Sequence, residues 1–278
     1  MPVRPFRQVD VFGSAGYDGN PLAVVHDAAG LDPVEMQRFA SWTGLSETTF
    51  LLPPNRPDAD YRVRIFTPQE ELPFAGHPTL GSAHAWLEAG GQPRTLGVVW
   101  QECAAGLIPV RPDEKRLAFA APPLTRFEPV EEDLVGRITA RLGLRPADVL
   151  SAYWLVNGPR WVGVRLASAA QVLAVQIDAA ALIGLEIGLV GPHPPGADAD
   201  FEVRALLPGQ SVAEDPVTGS LNAGLALWLI GDGVAPAHYV AAQGTGLGRA
   251  GRVHVDLKDG TVWVGGRVVT VITGSVDL

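Results

Sequence analysis

The chain contains an internal repeat, which constrains its fold more than any other sequence feature. YRVRIFTP, which begins at Tyr61, and FEVRALLP, which begins at Phe201, share an aromatic residue, a Val-Arg pair and a closing proline at identical spacing. Downstream of each copy the pattern H/D-P-x-x-G-S recurs, starting at His77 and at Asp215. The first pattern repeats after 140 residues, from 61 to 201, and the second after 138, from 77 to 215. A period this long predicts two paired domains instead of a solenoid of small units.

Each copy of the repeat predicts a strand, a proline-closed loop and then a helix. The two predicted helices carry small or apolar side chains on nearly every side, and such helices are buried. Short apolar or alternating runs around them predict strands. These runs are 6–12, 21–25, 48–52, 117–120, 161–166, 252–257 and 261–271. The sequence therefore predicts an α+β fold of two similar domains, 1–122 and 130–278, each with strands around one central helix. The break falls in 121–132, where prolines and acidic residues interrupt the pattern.

The charge balance and the single cysteine exclude several classes of function. Lys and Arg total 21 against 30 Asp and Glu, for a formal net charge of −9, and basic residues form no run that would track phosphates. Nucleic acid and anionic membranes are therefore poor partners. Cys103 stands alone, which excludes an intramolecular disulfide and a multi-cysteine metal cage and fits a reducing cytoplasm. The longest apolar helical stretch, 221–230, is too short to span a bilayer, so we expect an intracellular protein.

A helix early in the chain leads directly to the first candidate residue. Asp32 suits the N-cap, Pro33 the first turn and Glu35 a capping box, while Gly44 ends the helix. Glu47 then sits between this helix end and an apolar strand, where a carboxylate is partly desolvated and its pKa is raised toward neutrality. Such a group both accepts and returns protons. From the chemistry of the residue alone, however, an ordinary solvated carboxylate beside a strand is the favoured interpretation of Glu47.

The two repeat helices supply the other candidates. The start of a helix presents unpaired N–H groups and a partial positive charge, so it suits a carboxylate or phosphate. His77 at one start and Asp215 at the other provide a base and a carboxylate, and Gly76 and Gly219 allow close backbone approach. If the two starts faced one another across a cleft between the halves, they would form one site.

A purely structural explanation exists for each of these residues. Asp215 is a preferred N-cap type, Pro216 is normal in a first turn, and Ser220 supplies a first-turn hydroxyl. Each structural explanation is the stronger one for a residue taken singly, and the paired occurrence of the pattern weakens it.

The sequence shows no pattern typical of a metal or nucleotide site. The glycines of 244–251 do not have the G-x-G-x-x-G spacing, and the segment that follows them predicts a strand instead of a helix. The six histidines are scattered, and no H-E-x-x-H occurs. We therefore expect neither a metal nor an organic cofactor.

Four collinear blocks carry a family resemblance along essentially the whole chain. They are SETTF from Ser46, PFAGHPTLGSA from Pro73, AEDPVTGSLNAGLA from Ala213 and QGTGLGRAGR from Gln243. Together they resemble the PhzF-like isomerases of phenazine biosynthesis. The resemblance implies the diaminopimelate-epimerase-like fold, in which two pseudo-symmetric half-barrel domains each enclose a central helix. It also implies a homodimer, and the last strand would pack on the first domain.

The resemblance assigns roles to particular residues. Glu47 matches the proton-shuttling glutamate of the family, and His77, Asp215 and Ser220 match residues that line the site. Ser46, Gly76 and Gly219 match neighbours that contact substrate, mainly through backbone groups suited to a carboxylate.

The founding activity of the family is the isomerisation of trans-2,3-dihydro-3-hydroxyanthranilate without metal or organic cofactor. Epimerases of this fold instead use two opposed cysteines, and Cys103 lies outside both repeat motifs. Two alternatives remain open at this point: an isomerase acting on another small amino or hydroxy acid, and a non-catalytic protein that uses the fold to bind a metabolite or a partner.

Overall fold

The chain divides into two compact units. The computed structural model describes residues 2–113, 115–176, 182–209 and 213–278. Unit 1 comprises Met1–Ala120 together with Gly265–Leu278, and unit 2 comprises Ala121–Val264. The segment after residue 264, which the sequence-based boundaries placed in the second half, thus belongs to unit 1.

The described residues form seventeen β-strands and five α-helices. The strands of the first part are β1 Val3–Val11, β2 Asn20–Val25, β3 Glu47–Leu52, β4 Tyr61–Phe66, β5 Glu71–Leu72, β6 Val99–Cys103, β7 Gly106–Asp113 and β8 Arg116–Ala120. Those that follow are β9 Arg126–Pro129, β10 Val149–Val156, β11 Arg160–Leu166, β12 Glu186–Pro192, β13 Phe201–Leu206, β14 Glu214–Asp215, β15 His238–Gln243, β16 Gly251–Lys258 and β17 Thr261–Asp277. The helices are α1 Pro33–Thr43, α2 Gly76–Glu88, α3 Glu132–Arg141, α4 Ala169–Ala174 and α5 Gly219–Gly231.

The sheet of unit 1 surrounds helix α2. Strand β1 pairs antiparallel with β17 and β2, β2 runs parallel to β3, and β3 pairs antiparallel with β4. Strand β4 runs parallel to β6, the antiparallel strands β7 and β8 follow, and β8 pairs with β17. This order closes the sheet into a barrel. Helix α2 packs against β1, β2, β3, β6, β7 and β8, which explains why its side chains are apolar on most sides.

Unit 2 repeats this strand order. Strands β9, β10 and β11 are antiparallel neighbours, β11 runs parallel to β12, β12 pairs antiparallel with β13, and β13 runs parallel to β15, which pairs antiparallel with β16. Helix α5 packs against β10, β11 and β16. Ten of its thirteen residues are buried, in agreement with its uniformly apolar sequence. The expectation of an α+β fold with strands around a central helix is confirmed in each unit.

Local signals predicted helix α1 correctly. Asp32 is the N-cap, its side chain accepts from the Glu35 N–H, and the Glu35 carboxylate accepts from the Asp32 N–H. Gly44 ends the helix with a left-handed φ of 67°, a conformation that glycine adopts without steric cost. The end of this helix sets where the chain turns toward Glu47.

The structural repeat differs from the sequence repeat at the start of the second central helix. Strands β4 and β13 begin 140 residues apart, at 61 and 201, but α2 and α5 begin 143 apart, at 76 and 219. The segment between β13 and β14 is longer than that between β4 and β5. In the structure, His77 therefore corresponds to Ser220, whereas the H/D-P-x-x-G-S pattern had paired it with Asp215. The expectation that Asp215 begins the second helix is wrong: Thr218 is its N-cap, and Asp215 ends the short strand β14.

Candidate active site

Glu47 and His77 meet in unit 1, although thirty residues separate them in the chain. Glu47 is the first residue of β3, opposite Leu22 in the parallel β2–β3 pair. His77 is the second residue of α2. The His77 Nε2 lies 3.2 Å from the Glu47 Oε2, and the two side chains are 5% and 15% exposed. The structure therefore pairs the predicted proton shuttle with the predicted histidine in a nearly dry environment.

The His77 ring is neutral in this environment. Burial lowers the pKa of His77 from 6.5 to about 3, because the imidazolium would lose its hydration. The contact with Glu47 is thus a contact between a neutral ring and a carboxyl group, not an ion pair.

Asn20 contacts the other nitrogen of that ring. Asn20 is fully buried at the start of β2, and its Nδ2 lies 3.4 Å from the His77 Nδ1. When the amide N–H donates in this contact, the Nδ1 is the acceptor and the ring proton is on Nε2. From this tautomer we assign the His77 N–H to the side of the Glu47 carboxyl.

Asp215 lies in unit 2 beside the start of α5. It pairs with Ala205 across the β13–β14 ladder. The Thr218 hydroxyl donates to the Asp215 Oδ2 at 2.5 Å, a distance typical of a strong hydrogen bond to a carboxylate. The position of Asp215 is therefore set by the N-cap residue of the helix that follows it.

The buried side chain of Gln243 holds this helix start. Its Oε1 accepts from the Thr218 N–H at 3.1 Å and from the Asn222 Nδ2 at 2.8 Å. Its Nε2 donates to the Thr218 Oγ1 at 3.0 Å and to the Asp215 carbonyl at 3.2 Å. The oxygen and the nitrogen of the Gln243 amide thus each make two hydrogen bonds to Asp215 and the start of the helix that follows it.

Ser220 and Gly219 occupy the first turn of α5, as the sequence predicted for Ser220. The Ser220 Oγ accepts from the Trp161 Nε1 at 3.1 Å, and its carbonyl accepts from the Asn157 Nδ2 at 2.8 Å. The tryptophan occupies one acceptor position of the hydroxyl, whose proton is available for donation. Gly219 is buried at the first helical position.

Both central helices begin without a capping bond from their own N-cap side chain. Ala75 precedes α2 and has no hydroxyl or carboxylate to offer, and Thr218 precedes α5 with its hydroxyl turned to Asp215. First-turn N–H groups at such a start suit an anionic ligand. Gly76 is buried at the start of α2, and Ser46 is half-buried directly before Glu47.

The predicted site residues thus fall into two clusters. Glu47 and His77 are in contact in unit 1, where Ser46 and Gly76 are their chain neighbours, and Asp215, Gly219 and Ser220 lie around one helix start in unit 2. Sequence reasoning missed Asn20, Thr218 and Gln243. Thr218 and Gln243 lie inside quoted blocks, and Asn20 follows the first glycine-rich loop. A polar residue at the end of an apolar run was the signal available for Asn20 and Gln243.

Other features of the chain contribute no site. Within the described ranges, no three His, Cys, Asp or Glu side chains are grouped to hold a metal ion. Cys103 is buried, and burial raises the pKa of its thiol. The glycines of 244–251 form a turn that leads into β16, as predicted. None of the helices described is long and apolar enough to cross a membrane.

The sequence matches one family model and curated relatives over most of its length. The model of the PhzC-PhzF family, phenazine biosynthesis-like proteins, matches residues 9–274. "Antisense-enhancing sequence 1" of Schizosaccharomyces pombe is 35% identical over 295 aligned positions, which cover 99% of each chain. The trans-2,3-dihydro-3-hydroxyanthranilate isomerase of Pseudomonas aeruginosa is 35% identical over 256 positions, 88% of this chain and 87% of that one.

Solved structures support the same assignment. A PhzF-family protein of Enterococcus faecalis superimposes with a TM-score of 0.83 at 25% identity, over 100% of both chains. A probable proline racemase of Agrobacterium radiobacter superimposes with a TM-score of 0.64 at 15% identity, over 99% of this chain and 93% of that one, and shows a likeness of fold alone. The expected diaminopimelate-epimerase-like fold is confirmed. The chain belongs to the PhzC-PhzF family of phenazine biosynthesis-like proteins and is a PhzF-like isomerase.

Proposed function

We propose that this isomerase moves a proton between carbon atoms of a small amino or hydroxy carboxylic acid similar to trans-2,3-dihydro-3-hydroxyanthranilate, without a metal or organic cofactor. The contact between Glu47 and His77 carries the proposal. A carboxyl group in a nearly dry environment is suited to take a proton from one carbon and return it to another. The Pseudomonas aeruginosa relative, whose name states this substrate, supports the substrate class.

His77 assists Glu47 in this mechanism without transferring charge. Its neutral ring places the Nε2 3.2 Å from the Glu47 Oε2, so the ring packs against the carboxyl group and orients it. Because the ring is neutral, it places no positive charge beside the carboxyl group. This suits a group that must accept a proton from carbon.

We assign substrate binding to the remaining site residues. Asp215 accepts from the amine or hydroxyl of the substrate, and Ser220 offers its hydroxyl proton. Ser46, Gly76 and Gly219 contact the substrate through backbone groups, and the first-turn N–H groups at the helix starts suit its carboxylate.

The substitution Glu47→Gln tests the catalytic assignment. Gln is nearly isosteric with Glu, so the fold is retained, but an amide cannot act as a proton shuttle. We expect a rate loss of about 10²-fold or more, as for removal of a general acid/base. The measurement is NMR of wild type and variant with dihydro-hydroxyanthranilate and a panel of small amino and hydroxy acids in D₂O. Carbon-bound deuterium should appear with the wild type alone.

The control is Glu70→Gln, which makes the same change in an exposed loop of unit 1 and should leave turnover unaltered. Wild-type turnover by Glu47→Gln would refute the role of Glu47. Turnover of another acid in the panel but not of the anthranilate derivative would refute the substrate class and retain the proton shuttle. Activity that required added nucleotide, or that EDTA abolished, would contradict the cofactor-free mechanism.

We include a homodimer and a cytoplasmic location in this proposal, because the family resemblance and the single cysteine favour them. Sedimentation equilibrium of the purified chain tests the dimer. A monomer at micromolar concentration would contradict it.

A further inference from the structure

Gln243 belongs to a sequence block for which the proposed mechanism has no use. It ends strand β15 and opens the QGTGLGRAGR segment, whose glycines form the turn into β16. Its side chain is fully buried, and all four of its hydrogen bonds go to residues within or beside the start of α5. A buried amide with every bond satisfied has one orientation, and a network of this kind holds its members in a unique arrangement.

The direction of each bond in this network is determined. The Asn222 Nδ2 donates to the Thr218 carbonyl at 2.9 Å, so the same amide nitrogen also donates to the Gln243 Oε1. The backbone N–H of Thr218 donates to that Oε1 as well, which leaves the Gln243 nitrogen on the other side as a donor. The Gln243 Nε2–H therefore donates to the Thr218 Oγ1, and the single hydroxyl proton of Thr218 is directed to the Asp215 Oδ2.

We propose that Gln243 is a positioning residue of the isomerase, which acts through the Thr218 hydroxyl on the Asp215 carboxylate. The chain Gln243 Nε2–H, Thr218 Oγ1–H, Asp215 Oδ2 fixes the rotation of the carboxylate and favours its ionised form. This inference rests on the proposed function of Asp215. Gln243 itself touches Thr218, Asn222 and the Asp215 carbonyl, and its role is to supply the donor that aims the hydroxyl.

Two substitutions break this series of hydrogen bonds at different residues. Gln243→Glu keeps the size of the side chain, but a carboxylate cannot donate to the Thr218 Oγ1 and instead draws the hydroxyl proton to itself. Thr218→Val keeps the shape of Thr218 and removes the hydroxyl. In both variants Asp215 loses the hydrogen bond from the Thr218 hydroxyl, and in Gln243→Glu it also gains a negative neighbour. We expect kcat to fall about 10–100-fold in each, because a small misplacement of a substrate-orienting group has effects of this size.

Controls separate positioning from loss of structure. Thr218→Ser retains the hydroxyl and should restore kcat to within about twofold of wild type. Gln101→Glu is the matched control in unit 1, because Gln101 is also fully buried and its side chain bonds to Thr79 at 2.9 Å and Tyr61 at 2.9 Å, neither of which is a proposed site residue. We expect Gln101→Glu to melt at a lower temperature and to keep its kcat. The kcat of the double variant Gln243→Glu, Thr218→Val should be no lower than that of the slower single variant, since both substitutions break the same series of hydrogen bonds.

A readout that does not depend on turnover distinguishes this inference from the proposed function. In ¹³C NMR the titration midpoint of the Asp215 carboxyl should rise in Gln243→Glu and Thr218→Val and stay unchanged in Thr218→Ser and Gln101→Glu. If Glu47→Gln retains activity, the proposed mechanism fails while this titration still tests the hydrogen-bonded chain. An unchanged Asp215 midpoint in both breaking variants, or equal kcat losses in Gln243→Glu and Gln101→Glu, would overturn the inference.

Discussion

Burial keeps the ring of His77 uncharged throughout the pH range in which enzymes ordinarily work. Its pKa, lowered to about 3, lies far below neutrality, so the ring contributes no titration between pH 5 and 9. The ring can still differ in its tautomer, which is coupled to the contact between its Nδ1 and Asn20. The acid/base behaviour of the proposed site therefore depends on carboxyl groups and not on the histidine.

The substitution Asn20→Asp should change this behaviour. A carboxylate beside the Nδ1 accepts a proton from it and stabilises the imidazolium, so the pKa of His77 should rise. We expect ¹⁵N-detected NMR to show the Nε2–H tautomer in wild type from pH 5 to 8 and a titrating ring in the variant. Asn55→Asp adds the same charge to an exposed loop of unit 1 and serves as the control. A wild-type ring that titrates near pH 6.5 would contradict the assignment.

The sequence identified Glu47 and His77 as candidates but not their contact. That contact requires the parallel pairing of β2 with β3 and the packing of α2 against both, and these pairings join residues far apart in the chain. The dependence of Asp215 on Gln243 is of the same kind. Local patterns predict which side chains suit a reaction, whereas partners depend on the tertiary arrangement of strands.

At the scale of an element, local sequence signals were sufficient to predict the bounds of one helix, α1, but not the start of another, α5. The capping box and Gly44 define α1 within the chain itself, so its bounds were predictable. The start of α5 was not, because Asp215 and Pro216 resemble a helix start in isolation. The β13–β14 ladder takes Asp215 into a strand, and its hydrogen bond from Thr218 completes the turn.

Two glycine substitutions in helices should have opposite effects. A Cβ on Gly81 in α2 would lie 2.5 Å from the Leu22 Cδ2 and 3.0 Å from the Val9 Cγ2, so both buried side chains must move. Overpacking of this kind costs about 1–3 kcal/mol, more than the gain in helix propensity. A Cβ on Gly136 in α3 meets nothing within 4 Å. In urea unfolding we expect Gly81→Ala to be destabilised by about 1 kcal/mol and Gly136→Ala to be stabilised by about 0.5–1 kcal/mol. Equal effects would contradict the close packing of α2.

At the scale of the molecule the two units share one strand order but differ in their buried titratable groups. Burial, and then the charge of Arg7, lowers the pKa of His26 to about 4, and burial also lowers the pKa values of His77 and His84. All three histidines lie in unit 1. In unit 2 burial raises the pKa values of Glu186 and Glu202. The repeat predicted the common architecture, but not this difference, because burial depends on the packing of each unit.

Acid should therefore weaken unit 1 before unit 2. Below pH 6.5 these histidines bind protons in the unfolded state but stay neutral in the folded state. Their contribution to the free energy of unfolding is therefore full above pH 6.5 and declines toward pH 4. For His26 alone the loss at pH 5 is about 2 kcal/mol. Glu186 and Glu202, whose pKa values are raised, have the opposite effect, because they bind protons more tightly in the folded state and so stabilise unit 2 as the pH falls.

Hydrogen exchange at pH 7.5 and 5.5, corrected for intrinsic rates, checks this order of weakening. Peptides from β1, β2 and α2 should lose protection first at the lower pH. His26→Gln should reduce the loss, and His238→Gln, at an exposed position of unit 2, should not. Earlier loss in unit 2 would show the opposite order.

Strand β17 has a consequence for the order in which the protein is made. Residues 3–11 pair with residues 268–277, so the barrel of unit 1 lacks a strand until almost the whole sequence has left the ribosome. Unit 2, encoded by 121–264, is already complete by then. During synthesis the first domain to emerge is thus the last to close, and its exposed β1 edge must wait for its partner strand. Translation therefore completes the sequence that carries Asp215 and helix α5 before it supplies the strand that closes the Glu47 barrel.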